Sequence, residues 1–124
     1  TLLRLDGEEV WTKFTGDFNA YNLLAVYAAA RLLGFTKENV LEYVSLLVPV
    51  SGRFETLIST EGVMAVVDYA HTPDAVENVL STICGLKGRD DQVITVVGAG
   101  GDRDKTKRPE MADAACRYSD HVIR

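Results

Sequence analysis

Apolar and polar positions in the first half of the chain alternate at first and then recur at helical spacing. Residues 1–16 alternate on both sides of Asp6-Gly7, a dipeptide typical of a tight turn, so the pattern predicts two strands. Apolar residues then recur every three or four positions over Asn19–Leu33 and over Lys37–Leu47. The segment therefore predicts a strand hairpin followed by two helices.

Polar residues and a glycine mark the ends of these helices. Asp17 or Asn19 is the expected N-cap of the first helix, and Gly34 suits the left-handed position that follows its last turn. Thr36 is the expected N-cap of the second helix. The two helices are therefore predicted to form a helical hairpin.

The pattern changes at Val50. PVSGRF has no periodicity and has the composition of a linker, so we divide the chain into residues 1–50 and residues 51–124. ETLIS and VMAVV then flank a Glu61-Gly62 turn and predict a second strand hairpin. Because VMAVV is continuously apolar, we expect this strand to be buried on both faces.

Helices and strands alternate in the rest of the chain. A helix is expected over Pro73–Leu86, with Thr72 as its N-cap. A strand at QVITVV, a helix over Pro109–Tyr118 and a strand at HVIR follow. The second part reads β-β-α-β-α-β, which predicts the α/β class with a mostly parallel sheet and right-handed crossovers.

Composition and charge exclude several function classes. The 124 residues are 47% hydrophobic and carry a net charge of −5, which argues against broad binding of nucleic acid. The apolar runs are far shorter than the roughly 20 residues that a membrane-spanning helix needs, so we expect no membrane insertion. Cys84 and Cys116 are expected to be reduced and structural, and no His or Cys spacing indicates zinc.

Two loops that follow predicted strands carry the candidate chemistry. In open α/β sheets, ligands bind at the carboxyl ends of the strands, and neighbouring parallel strands bring such loops to one edge. Asp68 ends one strand and could accept hydrogen bonds from a ribose diol, or cap the next turn. His71 could donate a hydrogen bond to a phosphate, or be structural.

The second loop, GAGGDRDKTKRP from Gly98 to Pro109, combines glycines with charge. It is not a Walker A loop, because GxxxxGK[ST] is absent from the chain, and Arg103 replaces the third glycine of a dinucleotide fingerprint. Arg103 can hold a carboxylate through two parallel hydrogen bonds, and Lys105, Lys107 and Arg108 could face phosphate. A solvated loop of mixed charge is the alternative.

Three further residues lie outside these loops. Arg53, in SGRFE, is a candidate phosphate contact, or a partner in an interdomain ion pair. Asn19 and Asn22 lie near the start of the first helix, where a side-chain amide can read an adenine edge. Capping for Asn19 and a surface position for Asn22 are the alternatives.

Together these motifs resemble a known family. FNAYNLLA, SGRFE, VVDYAHTPDAVENVL and GAGGDRDKTKRPEMA, in this order and at these separations, are similar to the Mur ligases, most closely to their tripeptide synthetases. The resemblance covers about Gly16 to Asp120. It implies that residues 1–50 end the central ATPase domain and that residues 51–124 begin a Rossmann-like C-terminal domain.

The resemblance also implies an activity. Such an enzyme adds meso-diaminopimelate or L-lysine to UDP-MurNAc-L-Ala-D-Glu, using ATP and Mg²⁺, through an acyl phosphate on the D-glutamate γ-carboxyl. UDP-MurNAc-dipeptide and the amino acid would be its partners. The full-length enzyme would be a monomer in the bacterial cytoplasm. The phosphate loop and most Mg²⁺ ligands would lie elsewhere, so we expect this chain alone to be inactive and to self-associate through exposed apolar surface.

The resemblance assigns roles residue by residue. Asn22 resembles the adenine contact, with Asn19 as its neighbour. Asp68 resembles the ribose ligand, with His71 beside the nucleotide. The remaining candidates are Arg53 for the nucleotide phosphates, Arg103 for a carboxylate of the incoming amino acid, and Lys107 and Arg108 as weaker candidates near phosphate or the domain interface.

Three alternatives stay open. A folylpolyglutamate synthetase shares the ATP chemistry and an Asp-x-Ala-His loop, but no folate contacts are visible. A non-catalytic nucleotide-binding module would show neither a phosphate loop upstream nor a DNPR-type loop downstream. An NAD-dependent oxidoreductase would need the glycine that Arg103 replaces.

Overall fold

A computed structural model describes residues 1–98 and 106–123. The chain divides into two compact units, Thr1–Val67 and Asp68–Arg124. The boundary predicted from composition, between residues 50 and 51, stays a prediction. We call the two parts unit 1 and unit 2 and describe each by itself.

Unit 1 begins with the predicted hairpin. Strand β1 spans Leu2–Leu5 and pairs antiparallel with β2, Glu8–Trp11. At the turn Asp6 has φ of 53° and Gly7 has φ of 84°, both in the left-handed region. A type I′ turn requires positive φ at both central positions, and Asp-Gly tolerates it best, so the sequence signal is confirmed.

Two helices follow, α1 over Asp17–Leu32 and α2 over Lys37–Leu46. The Thr36 cap is confirmed, because its hydroxyl accepts a hydrogen bond from the Asn39 amide. The predicted cap of α1 is wrong. Gly16 is the N-cap, with φ of 91° and no capping side chain, and its carbonyl accepts from the Asn19 and Ala20 amides. The helix therefore starts two residues earlier than the apolar pattern indicated.

The core of unit 1 joins the hairpin to both helices. The hydroxyl of Tyr27, on α1, donates to Asp6 Oδ2 at 3.1 Å. Burial, followed by this hydrogen bond to a carboxylate, raises the pKa of the Tyr27 phenol. The buried apolar side chains of this core are Leu5, Val10, Leu23, Tyr27, Val40 and Val44.

The last element of unit 1 is a second antiparallel hairpin, β3 over Glu55–Ile58 and β4 over Met64–Val67. The hairpin was predicted, but the burial of β4 on both faces was not borne out. Met64 and Val67 are 49% and 47% exposed. Among the described residues β4 pairs only with β3.

Unit 2 alternates helix and strand as predicted. Helix α3 spans Pro73–Leu86, β5 spans Ile94–Val96, α4 spans Lys107–Tyr118, and β6 spans His121–Ile123. Strands β5 and β6 pair in parallel, and the α/β class is confirmed. The Thr72 hydroxyl accepts from the Ala75 amide, which confirms the predicted cap of α3.

Polar contacts reinforce the packing of α3 on α4. The Tyr118 hydroxyl donates to Glu77 Oε1 at 3.0 Å, and Arg117 Nη2 donates to Glu77 Oε2 at 3.3 Å. The hydrogen bond to Glu77 raises the pKa of the Tyr118 phenol, with desolvation as the next cause. The apolar core beneath these contacts consists of Val76, Leu80, Val93, Met111, Ala114 and Ala115.

The cysteines and the helix lengths bear on two further expectations from the sequence. Cys84 and Cys116 are free cysteines, as predicted. Within residues 1–98 and 106–123, no helix is long and apolar enough to cross a membrane.

Candidate functional site

In unit 1, the two candidate asparagines lie on the first turns of α1 and are joined to each other. Asn19 is only 7% exposed, whereas Asn22 lies on the exposed surface. Asn19 Nδ2 donates to the Thr15 carbonyl at 2.8 Å, and Asn22 Nδ2 donates to Asn19 Oδ1 at 3.4 Å. Residues three apart share a helix face, which allows this contact.

Arg53 lies in a turn held by the carboxylate of Glu55. Glu55 Oε2 accepts from the Ser51 hydroxyl and from the Gly52 amide, both at 2.8 Å, and the Arg53 amide donates to the Val50 carbonyl. The Gly52 amide, followed by the Ser51 hydroxyl, lowers the pKa of Glu55. The segment predicted as an irregular linker is therefore a hydrogen-bonded turn.

The residue after Arg53 anchors this turn to the start of α1. Phe54 is 3% exposed, and its ring meets the Phe18 ring edge-on, with centroids 5.6 Å apart. Its φ of 48° is rare for a bulky residue and costs conformational energy, which its burial offsets. Since Phe18 precedes Asn19, unit 1 holds the backbone of Arg53 beside the helix end that carries both asparagines.

In unit 2, the candidate loop runs from Asp68 to Thr72. Asp68 is half-buried, and His71 is exposed. His71 Nδ1 lies 3.0 Å from the Tyr69 carbonyl, which can only accept, so Nδ1 is the donor of this contact. The Tyr69 and His71 rings lie 5.2 Å apart. The Thr72 cap fixes the point at which this loop enters α3.

The weaker candidates Lys107 and Arg108 are exposed on the first turn of α4. Glu110 lies in the same first turn, where a negative charge is favourable to the helix dipole. Arg103 and Lys105 lie outside the described residues, so the carboxylate role of Arg103 stays a prediction.

It also stays a prediction that the loop of Asp68 and the glycine loop lie at the same edge of one sheet. Among the described residues β4 pairs with β3 and β5 pairs with β6. The structure thus joins Asn19 to Asn22 and places Arg53 in the same unit, and it places Asp68 and His71 on one loop of unit 2. Within the described ranges, no group of three or more His, Cys, Asp or Glu side chains could hold a metal ion.

Sequence reasoning missed three contacts that shape the site in unit 1. One is the hydrogen bond from Asn22 to Asn19, whose signal was the spacing of three residues on a predicted helix. Another is the Glu55 carboxylate closing its turn, whose signal was a serine four residues before a glutamate. The ring contact between Phe18 and Phe54 had no local signal, because the residues are far apart in sequence.

Comparison with known proteins relates both units to one family. The family model described as "Mur ligase, glutamate ligase domain" matches residues 52–124. A UDP-N-acetylmuramoyl-L-alanyl-D-glutamate–2,6-diaminopimelate ligase from Cytophaga hutchinsonii is 57% identical over 96% of this chain. One from Geobacillus thermodenitrificans is 50% identical over 90% of it. These alignments cover 24% and 22% of the relatives, so the chain spans about a quarter of their length.

Solved structures agree with this relationship. The structure of a 2,6-diaminopimelate ligase of the same name is 37% identical, with a TM-score of 0.53, over 98% of this chain and 25% of its own. A UDP-N-acetylmuramate–alanine ligase from Thermotoga maritima is 30% identical, with a TM-score of 0.70, over 93% of this chain and 25% of its own.

Proposed function

Because the chain belongs to the Mur ligase family, we propose that the full-length protein is an ATP-dependent ligase that adds the third amino acid to UDP-MurNAc-L-Ala-D-Glu. The observation that carries the proposal is the identity of 57% with a diaminopimelate ligase across both units, which include all of the candidate motifs. The amino acid we propose is 2,6-diaminopimelate, as in the names of the relatives. The reaction takes place in the bacterial cytoplasm, on a monomeric enzyme.

The proposed reaction forms an amide at the cost of one phosphoanhydride bond. The γ-carboxylate of D-glutamate attacks the γ-phosphorus of ATP, which gives an acyl phosphate and ADP. The amine of the incoming amino acid then attacks the acyl carbon, and phosphate leaves from the tetrahedral intermediate while the amine loses a proton. Positioning and neutralisation of charge supply most of such catalysis.

Unit 1 contributes base recognition in this proposal. The Asn22 carboxamide is exposed and, within the described residues, uses one N–H in its contact with Asn19, so an N–H and Oδ1 remain to meet adenine. Arg53 would bind the nucleotide phosphates from a turn that Glu55 and Phe54 hold rigid.

Unit 2 and the glycine loop contribute the remaining contacts. Asp68 would accept hydrogen bonds from the ribose hydroxyls, and His71 would offer Nε2 beside the nucleotide. Lys107 and Arg108 add positive charge for phosphate. Arg103 would hold a carboxylate of the incoming amino acid. Mg²⁺ would neutralise the phosphate oxygens, and we assign it no ligand among the described residues.

The test uses the purified full-length protein with UDP-MurNAc-L-Ala-D-Glu, ATP and Mg²⁺, and with either meso-diaminopimelate or L-lysine. We expect release of phosphate and a UDP-MurNAc-tripeptide whose mass includes diaminopimelate. Product with lysine only would overturn the amino acid, and no tripeptide with either would overturn the ligase.

Variants separate the proposed binding roles. Arg103→Ala should raise KM for the amino acid far more than KM for ATP, and Arg103→Lys should recover little because lysine cannot form the paired contact. Asp68→Asn should raise KM for ATP and leave KM for the amino acid near wild type. Equal changes in both constants would contradict these assignments.

A further inference from the structure

Asn19 is a buried polar side chain whose hydrogen bonds fix its orientation. The Thr15 carbonyl can only accept, so the amino end of the Asn19 carboxamide must face it, at 2.8 Å. The oxygen end is then left to face Asn22. At 7% exposure Asn19 is poorly placed to touch a ligand itself.

The orientation of Asn19 determines that of Asn22. Asn19 Oδ1 is an acceptor, so Asn22 must present its amino end to it, at 3.4 Å. The remaining N–H and Oδ1 of Asn22 then point away from Asn19. A carboxamide in water could turn either end outward, and the chain from Thr15 through Asn19 removes that choice.

We propose that Asn19 is a positioning residue that makes the nucleotide site selective for adenine by fixing which end of the Asn22 carboxamide accepts and which end donates. The proposal rests on the proposed function. Adenine offers a donor at its 6-amino group and an acceptor at N7, and Asn22 matches both when Oδ1 meets the amino group. A 6-oxopurine offers two acceptors, and the fixed Oδ1 of Asn22 opposes one of them.

A purely structural role for Asn19 makes a different prediction. If the residue only holds Thr15 against α1, its loss weakens the start of the helix and lowers activity with every nucleotide alike. Orientation of Asn22 instead changes the preference between purines. The readout is therefore the ratio of kcat/KM for ATP to kcat/KM for inosine triphosphate, which replaces the 6-amino group with oxygen.

The experiment measures this ratio in the full-length ligase for the wild type, Asn19→Leu, Asn22→Ala and the double variant. Wild type should prefer ATP strongly. In Asn19→Leu the ratio should fall by about fivefold to tenfold, the range of one misdirected hydrogen bond. In the Asn22→Ala background, Asn19→Leu should change the ratio by less than about twofold, since coupled residues are not additive.

Asn19→Asp is the matched control. Its carboxylate keeps an acceptor for Asn22 but loses the donor to Thr15, so melting temperature should fall while the nucleotide ratio stays near wild type. If Asn19→Leu does not fold, Asn19→Ala removes the carboxamide without added bulk and gives the same test.

Each outcome decides between the roles. The inference is overturned if Asn19→Leu or Asn19→Ala leaves the nucleotide ratio unchanged. It is also overturned if Asn19→Asp loses the preference for ATP, or if the double variant has a lower ratio than Asn22→Ala alone. A wild-type ligase that uses both triphosphates equally also overturns it, while leaving the ligase activity intact. A wild-type protein that forms no tripeptide with ATP contradicts the proposed function instead.

Discussion

The two units hold their candidate residues by different means. In unit 1, Asn19 and Asn22 lie on a long helix, and side-chain hydrogen bonds and the Phe54 anchor hold the asparagines and the turn of Arg53. In unit 2, Asp68 and His71 lie on a loop between a strand and a helix, in which His71 contacts Tyr69 and Thr72 caps the helix. The candidate adenine contact therefore lies on a helix, whereas the candidate ribose contact lies on a loop.

The units also differ in how their helices are joined. In unit 1, α1 and α2 share an apolar core with the first hairpin. In unit 2, a glutamate on α3 binds two side chains at the end of α4 above the apolar core. Since each unit has its own core, each should respond to damage separately.

The largest expected effect comes from a cavity in unit 2. Leu80 is buried in its core, so Leu80→Ala should lower the stability of this unit by about 2–5 kcal/mol. Hydrogen exchange on the full-length protein should show lost protection in α3 and α4, with α1 and α2 unchanged. Leu80→Met, which conserves volume, is the control and should cost less than about 1.5 kcal/mol. Equal loss of protection in α1 would contradict the division into two units.

A smaller effect compares the same cap in both units. Thr72→Ala and Thr36→Ala each remove a hydroxyl that accepts the amide three residues on, so each should cost about 1 kcal/mol in chemical denaturation. Thr72 ends the loop of Asp68, and Thr72→Ala should also raise KM for ATP by about fivefold, the equivalent of that free energy. Thr36 lies beyond the opposite end of α1 from the asparagines, so Thr36→Ala should leave KM unchanged. Similar increases in KM would mean that the loop has no special role.

The smallest expected effect is a pH dependence of stability, to which one carboxylate in each unit contributes. Backbone amides lower the pKa of Glu55 below 4.5 and that of Asp120 below 3.8, with Gly52 and Val93 as the donors. A lowered pKa in the folded state means that the stabilisation is full above the ordinary pKa and is lost as pH falls through the folded value. The melting temperature should therefore fall on acidification from pH 5 to pH 3.

Neutral variants identify the two carboxylates. Glu55→Gln should reduce the fall of the melting temperature in the upper part of this pH range. Asp120→Asn should reduce that fall in the lower part. Glu42→Gln, which leaves both contacts intact, should behave as wild type. Equal slopes in all of these proteins would show that neither carboxylate couples stability to pH.

Local sequence signals predicted most elements correctly. The Asp6-Gly7 turn, the Gly34 position and both threonine caps depend on the conformational preferences or hydrogen bonds of a few neighbouring residues, and each was confirmed. The predicted N-cap of α1 was wrong because the actual cap, Gly16, has no side chain that a sequence signal could reveal. The prediction that β4 is buried was wrong because the burial of a strand depends on what packs against it, and the strand's own residues do not determine that.

The sequence by itself determined the helices, the strands, the α/β class and the motifs of the family. These properties arise from short-range conformational preference and from the identity of residues. The tertiary structure decided how Asn19 orients Asn22, how Glu55 closes its turn, and how Phe54 holds Arg53 beside α1. Those arrangements depend on direction, distance and burial, which only the packed chain fixes.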